Sequence, residues 1–169
     1  MTFQKFPTRY VPNSMTNKDE KKQVQMLLKS KQMYKRHQYY DRKKVASFKS
    51  KKSNHVRSAR GVYGVDKVTP NRELAAKTGC KLSALKAIVR KGEGAYYSSG
   101  SRPNQTARSW GLARLASALT AGKAAAVDYT ILEKGCDPNK RALKLAKQSK
   151  RRYKYGQSRT KTKKVHVSK

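Results

Sequence analysis

Residues 91–119, KGEGAYYSSGSRPNQTARSWGLARLASAL, combine a glycine-rich segment, two adjacent tyrosines and the sole tryptophan with a clear helix start. Thr106 is placed to cap a helix that begins at Ala107, and the leucine spacing after it predicts one buried face. The small residues before Thr106 predict a loop with exposed amides, in which Arg102 can hold a phosphate. The alternative is a structural loop that joins two helical halves.

The preceding segment, PNRELAAKTGCKLSALKAIVRKG at residues 70–92, predicts a helix-turn-helix. Leu74 and Ala75 face inward in its first helix, Gly79 takes the turn, and the second helix runs from about Ser83 to Arg90. In DNA-binding proteins with this motif the second helix enters the major groove. The side chains predicted to contact nucleic acid here are Lys81, Ser83, Lys86, Arg90 and Lys91. A helical hairpin used purely for packing is the alternative.

The charge of the chain is large and unevenly distributed. Lys and Arg number 42 against 9 Asp and Glu, which gives a formal net charge of +33. Residues 1–60, 61–140 and 141–169 carry net charges of +14, +7 and +12. Because the middle is the most nearly balanced part, the pattern predicts a foldable core between basic arms, whose self-repulsion a polyanion would relieve.

These observations predict a mainly α fold, a small multi-helix module with a helix-turn-helix-like pair, flanked by extended basic arms. The predicted division is a basic N-terminal arm at 1–60, a compact helical domain at 61–149 and a basic C-terminal tail at 150–169. Within the first arm, Thr16 or Asn17 can cap an amphipathic helix at about 18–36.

The N-terminal residues 1–14 predict either an extended arm, with aromatic anchors among prolines, that lies in a groove of a neighbour, or a disordered terminus. Residues 37–60 alternate basic clusters with aromatic residues, which is typical of a nucleic-acid contact or of a solvated linker. Residues 61–69 predict a short strand or an apolar connector.

The C-terminal third predicts a helix at 124–134 and then a last helix that Asp137 caps and Pro138 starts. The sequence after Lys150 contains no acidic residue and predicts a polycationic tail, ordered only when bound. Further phosphate contacts are predicted at Arg102, Arg108, Arg151, Arg152 and Lys154.

The two cysteines, Cys80 and Cys136, are too few for a disulfide scaffold or a four-ligand zinc site. A reduced compartment is therefore expected, with Cys80 as a small buried hydrophobic residue. The N-terminus lacks the apolar run of a signal peptide, and no stretch approaches the ~20 apolar residues of a membrane span.

Three segments carry a resemblance to a known family: SFKSKKSNHVRSAR, PNRELAAKTGC and GAYYSSGSRPNQTARSWGLARLASALTAGKAAAVDYTILEKGC. Over about residues 10–148 the chain resembles a domain of unknown function found in proteins of large double-stranded DNA viruses, algal viruses among them, and of some phages. The resemblance implies a viral origin and supplies no activity or functional residues. The basic tail after Lys150 extends beyond the similar part.

No catalytic site, metal site or cofactor is predicted, because the acidic residues and the histidines show neither paired nor metal-ligand spacing. The glycine-rich loop also lacks the Gly-Lys-Ser/Thr of a nucleotide P-loop. The first functional hypothesis is a structural protein of a virus particle, a minor capsid or internal component whose arms bind other virion proteins or packaged DNA. The second is a helix-turn-helix DNA-binding protein in genome packaging or regulation, and a third is a ribosome-like RNA-associated protein.

The expected partners are thus other virion or capsid proteins and nucleic acid, DNA before RNA, with no small-molecule substrate. The expected location is the virion, after synthesis in the host cytoplasm, with entry into the nucleus as an option.

Overall fold

A computed structural model of the protein describes residues 2–154 and 160–168 and confirms a mainly helical fold. In chain order the elements are β1 (Thr2–Pro7), α1 (Asn17–Lys35), α2 (Asn54–Tyr63), α3 (Arg72–Thr78), α4 (Leu82–Ser98), α5 (Ala107–Leu119), α6 (Lys123–Val127), α7 (Tyr129–Gly135), α8 (Arg141–Tyr153) and β2 (Thr162–Val167).

The described residues form two units. Unit 1 comprises residues 2–51, 94–107 and 160–168, and unit 2 comprises residues 52–93 and 108–154. The three-part division expected from the charge distribution stays a prediction.

Helix α1 of unit 1 begins and ends within one residue of the predicted bounds. The Thr16 hydroxyl accepts a hydrogen bond from the Asp19 amide at 3.3 Å, and Asp19 and Glu20 lie in the first turn, where negative charge is favourable. Its buried side includes Val24 and Leu27.

The terminal segments of unit 1 pair with each other. Strands β1 and β2 are antiparallel, with the register running from Thr2 opposite Val167 to Pro7 opposite Thr162. Phe6 and Val165 are buried beneath this ribbon. The prediction of a C-terminal tail without structure is therefore wrong for residues 162–167, because their partner strand lies at the opposite end of the sequence.

Helix α2 of unit 2 was not predicted. It covers part of the expected linker and a third of the expected strand or connector, and its C-cap is Gly64, whose φ of 60° is left-handed. Tyr63 is buried, and its hydroxyl donates to the carbonyl oxygen of Leu119 at 2.5 Å. This burial raises the pKa of Tyr63 far above its usual value.

Helices α3 and α4 of unit 2 lie where the sequence predicts a pair of helices joined by a turn. Asn71 caps α3 by accepting a hydrogen bond from the Leu74 amide at 2.8 Å, and Gly79 takes the turn with a left-handed φ of 72°. The expected end of the second helix near Arg90 is wrong, since α4 continues to Ser98.

Gly92 explains that error, because it serves helix packing and not a loop. A Cβ atom at Gly92 would lie 2.6 Å from the Cα of Gly111 in α5, so the two helices approach closely at this pair. Gly94, by contrast, has open space where a Cβ would stand.

The later helices confirm α5 and correct its successors. The predicted helix at 124–134 is two short helices, α6 and α7, with a break at Asp128. The last helix starts at Arg141, because the Asp137 carboxylate accepts from the Asn139 amide at 2.9 Å in a local turn and does not cap the helix.

Cys80 and Cys136 form a disulfide, so the expectation of a free buried thiol is wrong although both residues are buried. Backbone hydrogen bonds flank the link: the Lys81 amide donates to Gly135 at 2.7 Å and the Asp137 amide to Gly79 at 2.8 Å. The start of α4 is thereby fastened to the segment that leads into α8. The core around it contains Leu85, Ile88, Leu115, Leu119 and Leu132.

Candidate nucleic-acid interface

One exposed row of side chains runs along α4. Ser83, Lys86, Arg90 and Glu93 are spaced by three, four and three residues, so they lie on the same side of the helix. The first three are exposed and Glu93 is half-buried, while Leu85 and Ile88 are buried on another side of the helix. We call these four residues the α4 row.

A groove of about 280 Å³ lies beside the α4 row and is lined by Pro70, Lys86, Val89, Arg90, Glu93 and Arg108. The guanidinium of Arg108 approaches the Glu93 carboxylate at 3.4 Å, with 58% of the Arg108 side chain exposed. The structure thus brings three predicted site residues together, but it places a carboxylate among them that opposes phosphate binding. Lys81 is exposed just before the helix.

Lys91 is used differently from its neighbours. Its ammonium group lies 2.8 Å from the carboxylate of Asp128, which is fully buried. Arg114 donates to the same carboxylate from Nε and Nη2, both at 2.7 Å. Lys91 and Arg114 therefore neutralise a buried charge at the break between α6 and α7, and this role could not be found from the spacing of the sequence.

The loop that follows α4, residues 99–106, holds a neighbouring chain segment. The side chain of Asn104 accepts from the Val45 amide at 2.7 Å and donates to the carbonyl oxygens of Val45 and Phe48. Buried Ser101 accepts from Arg42 at 2.7 Å. These bonds favour the structural alternative for the loop; Arg102 itself is exposed, and its phosphate contact stays a prediction.

Arg42 is the centre of this arrangement in unit 1. Its guanidinium lies 3.7 Å from the centre of the Tyr96 ring and donates to Ser30 and to the Tyr96 carbonyl oxygen. Burial lowers the pKa of Arg42, and the nearby Tyr96 opposes that shift. The glycine-rich stretch, which contains Tyr96, is therefore held in the fold by its contacts with Arg42.

A second exposed row, entirely basic, lies on α8 and ends at its C-cap residue Lys154. Lys144, Lys147, Arg151 and Lys154 are exposed and repeat the spacing of three, four and three residues. At a rise of about 1.5 Å per residue the row is roughly 15 Å long. We call it the α8 row. Among the described residues, no carboxylate lies within ion-pair distance of these four side chains.

The second half of the α8 row borders a groove of about 440 Å³ lined by Tyr129, Lys147, Lys150, Arg151 and Lys154. The Lys150 ammonium lies 4.4 Å from the centre of the Tyr129 ring. The last turn of α8 also favours cations through the helix dipole. Arg152, another predicted contact, is exposed next to the ring of Tyr153.

Lys144 and Lys147 were missed as site residues, although their helical spacing from Arg151 is visible in the sequence. The sequence predicted a helix through Arg152 with lysines on its outer faces, close to the observed end at Tyr153, but those lysines were not interpreted as a binding surface.

Comparison with known families assigns the chain to one of them. Residues 7–143 match the model of a family described as "Family of unknown function (DUF5824)". The chain belongs to this family. The α4 row lies within the matched region, and the α8 row begins one residue beyond it. No curated protein and no solved structure matches the chain.

The described residues lack two further features. None of their helices has the length and apolar character to cross a membrane. They also contain no cluster of three or more His, Cys, Asp or Glu side chains arranged to hold a metal ion.

Proposed function

We propose that this member of the DUF5824 family is a non-enzymatic structural component of a virus particle that holds the phosphate backbone of packaged DNA. The observation that carries the binding role is the α8 row. Three exposed cations on one side of α8 and a fourth at its C-cap, without a carboxylate partner among the described residues, form a surface that phosphates would neutralise.

Backbone binding is favoured over base reading by the chemistry of the α8 row. A row made only of lysine and arginine suits contacts with phosphates, and such backbone contacts carry no sequence information of their own. The high net charge of +33 supports the same role.

Support for the particle as the place of action comes from the resemblance of the sequence to proteins of large DNA viruses. Other particle proteins are the second class of partner in this proposal. The N-terminal arm contributes less to that contact than the sequence suggested, because β1 already pairs with β2 of the same chain.

Equilibrium binding of the full chain to a labelled 20-bp duplex at increasing salt tests the binding role. If the α8 row neutralises four phosphates, log Kd should change by about 3.6 per tenfold change in salt. Two duplexes of unrelated sequence should give the same Kd. A Kd that does not respond to salt, or a lack of binding at low salt, would contradict the proposal.

Quantitative proteomics of purified particles tests the location. The protein should be present at a constant ratio to the major particle proteins. Its absence from particles that infect normally would remove the structural role and leave the binding role to stand alone.

A second function, a sequence-reading regulator, is favoured by the α3–α4 geometry, which exposes Lys81, Ser83 and Lys86 at the start of α4. The short Ser83 side chain offers few base contacts. Selection from a random duplex library distinguishes the two functions. An enriched motif that Lys81→Ala with Lys86→Ala abolishes would support the regulator, whereas unenriched sequences would support backbone binding.

A further inference from the structure

The outer face of the β1–β2 ribbon in unit 1 has a composition that the proposed function does not use. The register places Phe3 opposite His166 and Lys5 opposite Lys164. Residues directly opposite each other in an antiparallel pair point to the same face. All four are exposed, whereas the other face holds buried Phe6 and Val165. We call these four residues the outer ribbon face.

Two like charges stand directly opposite each other on this face. The Cβ atoms of such a pair lie about 5 Å apart, and like charges at that distance destabilise a ribbon. No carboxylate of the described residues is within ion-pair distance of Lys5 or Lys164. Lys163 on the inner face, by contrast, pairs with Glu20 at 2.7 Å. An anion between the two outer lysines would relieve their repulsion.

An exposed aromatic ring lies next to this lysine pair. Phe3 is 64% exposed, and its ring meets the His166 ring edge to face at a centroid distance of 5.5 Å. Phe3 and Lys5 are two residues apart in β1, which separates them by about 7 Å along the strand. An exposed ring beside paired cations is the combination that binds unpaired nucleotides, by stacking on a base and holding the backbone.

We propose that the outer ribbon face binds single-stranded nucleic acid, with Lys5 and Lys164 on the phosphate backbone and Phe3 stacked on an unpaired base. His166 supports the Phe3 ring from the neighbouring strand. The proposal goes beyond duplex binding by α8, because it concerns another unit and another form of nucleic acid. A duplex keeps its bases stacked inside and offers Phe3 no free face.

The test measures the Kd of full-length variants for a labelled 20-nucleotide oligothymidine and for a 20-bp duplex. Phe3→Ala should weaken oligothymidine binding roughly tenfold. Lys5→Gln with Lys164→Gln should weaken it too and lower the salt slope by roughly 0.7 for each phosphate released. Duplex binding, which the α8 row carries, should change less than twofold in both variants.

The matched control removes two exposed lysines of unit 1 outside the ribbon, Lys49→Gln with Lys51→Gln. The proposal is wrong if this control loses as much oligothymidine affinity as the Lys5 and Lys164 pair, or if Phe3→Ala leaves that affinity unchanged. Equal losses for oligothymidine and duplex would also overturn it. Absence of duplex binding by the unaltered protein would overturn the proposed function alone.

Phe3→Trp tests whether Phe3→Ala weakens binding only because it disrupts the β1–β2 ribbon. The indole should keep oligothymidine affinity within about threefold of the unaltered protein and restore most of what Phe3→Ala loses. Its fluorescence, after subtraction of the Trp110 signal of the unaltered protein, should be quenched by oligothymidine. Unquenched fluorescence at saturating oligothymidine would show that no base stacks there and would overturn the proposal.

Discussion

The α4 row and the α8 row have the same spacing but different net charge, and only the α8 row suits a polyanion. Each row is spaced by three, four and three residues, but the α4 row reads Ser, Lys, Arg, Glu and the α8 row reads Lys, Lys, Arg, Lys. Two positive charges and one negative give the α4 row +1, whereas four positive charges give the α8 row +4. A helix-turn-helix fold alone therefore does not locate the binding surface.

The difference arises from where the few acidic residues lie. Glu93 of α4 pairs with Arg108 of α5, and the fully buried Asp128 pairs with Lys91 of α4 and Arg114 of α5. Helix α8 contains no acidic residue and packs through small residues such as Ala142 and Ala146. In a chain with 9 acidic side chains, their positions decide which of the 42 cations stay available.

The largest expected effect comes from removing the disulfide between Cys80 and Cys136, which joins the start of α4 to the segment before α8. Cys80→Ala with Cys136→Ala removes a cross-link over 56 residues, which should lower the free energy of unfolding by about 4 kcal/mol. Urea unfolding measures the change. A reductant should destabilise the unaltered protein similarly and leave the double variant unaffected. A loss below about 1 kcal/mol would contradict the stabilising role of the link.

Removing Asp128 tests why the cations of α4 are less available. Asp128→Asn leaves Arg114 and Lys91 without their shared carboxylate, and the free energy of unfolding should fall by about 3 kcal/mol. Glu133→Gln is the control, since Glu133 is exposed and such changes usually stay within about 0.5 kcal/mol. Equal effects of the two substitutions would show that the buried ion pairs do not hold α4 in place.

The two glycines of α4 should respond in opposite directions. Gly92→Ala puts a methyl group against Gly111 and should cost roughly 2 kcal/mol of stability. Gly94→Ala enters open space and should stabilise the helix by about 0.5–1 kcal/mol. Thermal unfolding of both variants measures the difference. Stabilisation by both substitutions would mean that α4 and α5 do not approach closely at Gly92.

Local signals predicted several elements well. The Thr16 cap and the apolar spacing after it located α1, Gly79 located the turn between α3 and α4, and the start of α5 followed from its sequence pattern. These features depend on residues within a few positions of one another, so a single sequence contains the information.

The features that sequence reasoning missed depend on distant partners. Thr2 and Val167 meet across 165 residues, which no local pattern of β2 could show. Gly92 resembled a loop residue because its reason, the contact with Gly111, is tertiary. Asp128, at the break between α6 and α7, likewise pairs with Lys91 and Arg114 from two other helices.

The candidate site was predictable in part. The sequence indicated Lys86, Arg90 and Arg108, which do line one groove, and it indicated the basic end of α8. It could not show which of the two surfaces is better suited to nucleic acid, because that depends on the ion pairs that Glu93 and Asp128 form in the folded chain.

The most direct test compares the middle pairs of the two rows, which have the same sequence spacing and remove the same charge. Lys147→Gln with Arg151→Gln should lower the salt slope of duplex binding by about 1.8. Lys86→Gln with Arg90→Gln should lower that slope by at most about 0.9, since Glu93 already opposes phosphate there. An equal or larger loss from the α4 pair would contradict the claim that α8 is the principal nucleic-acid surface.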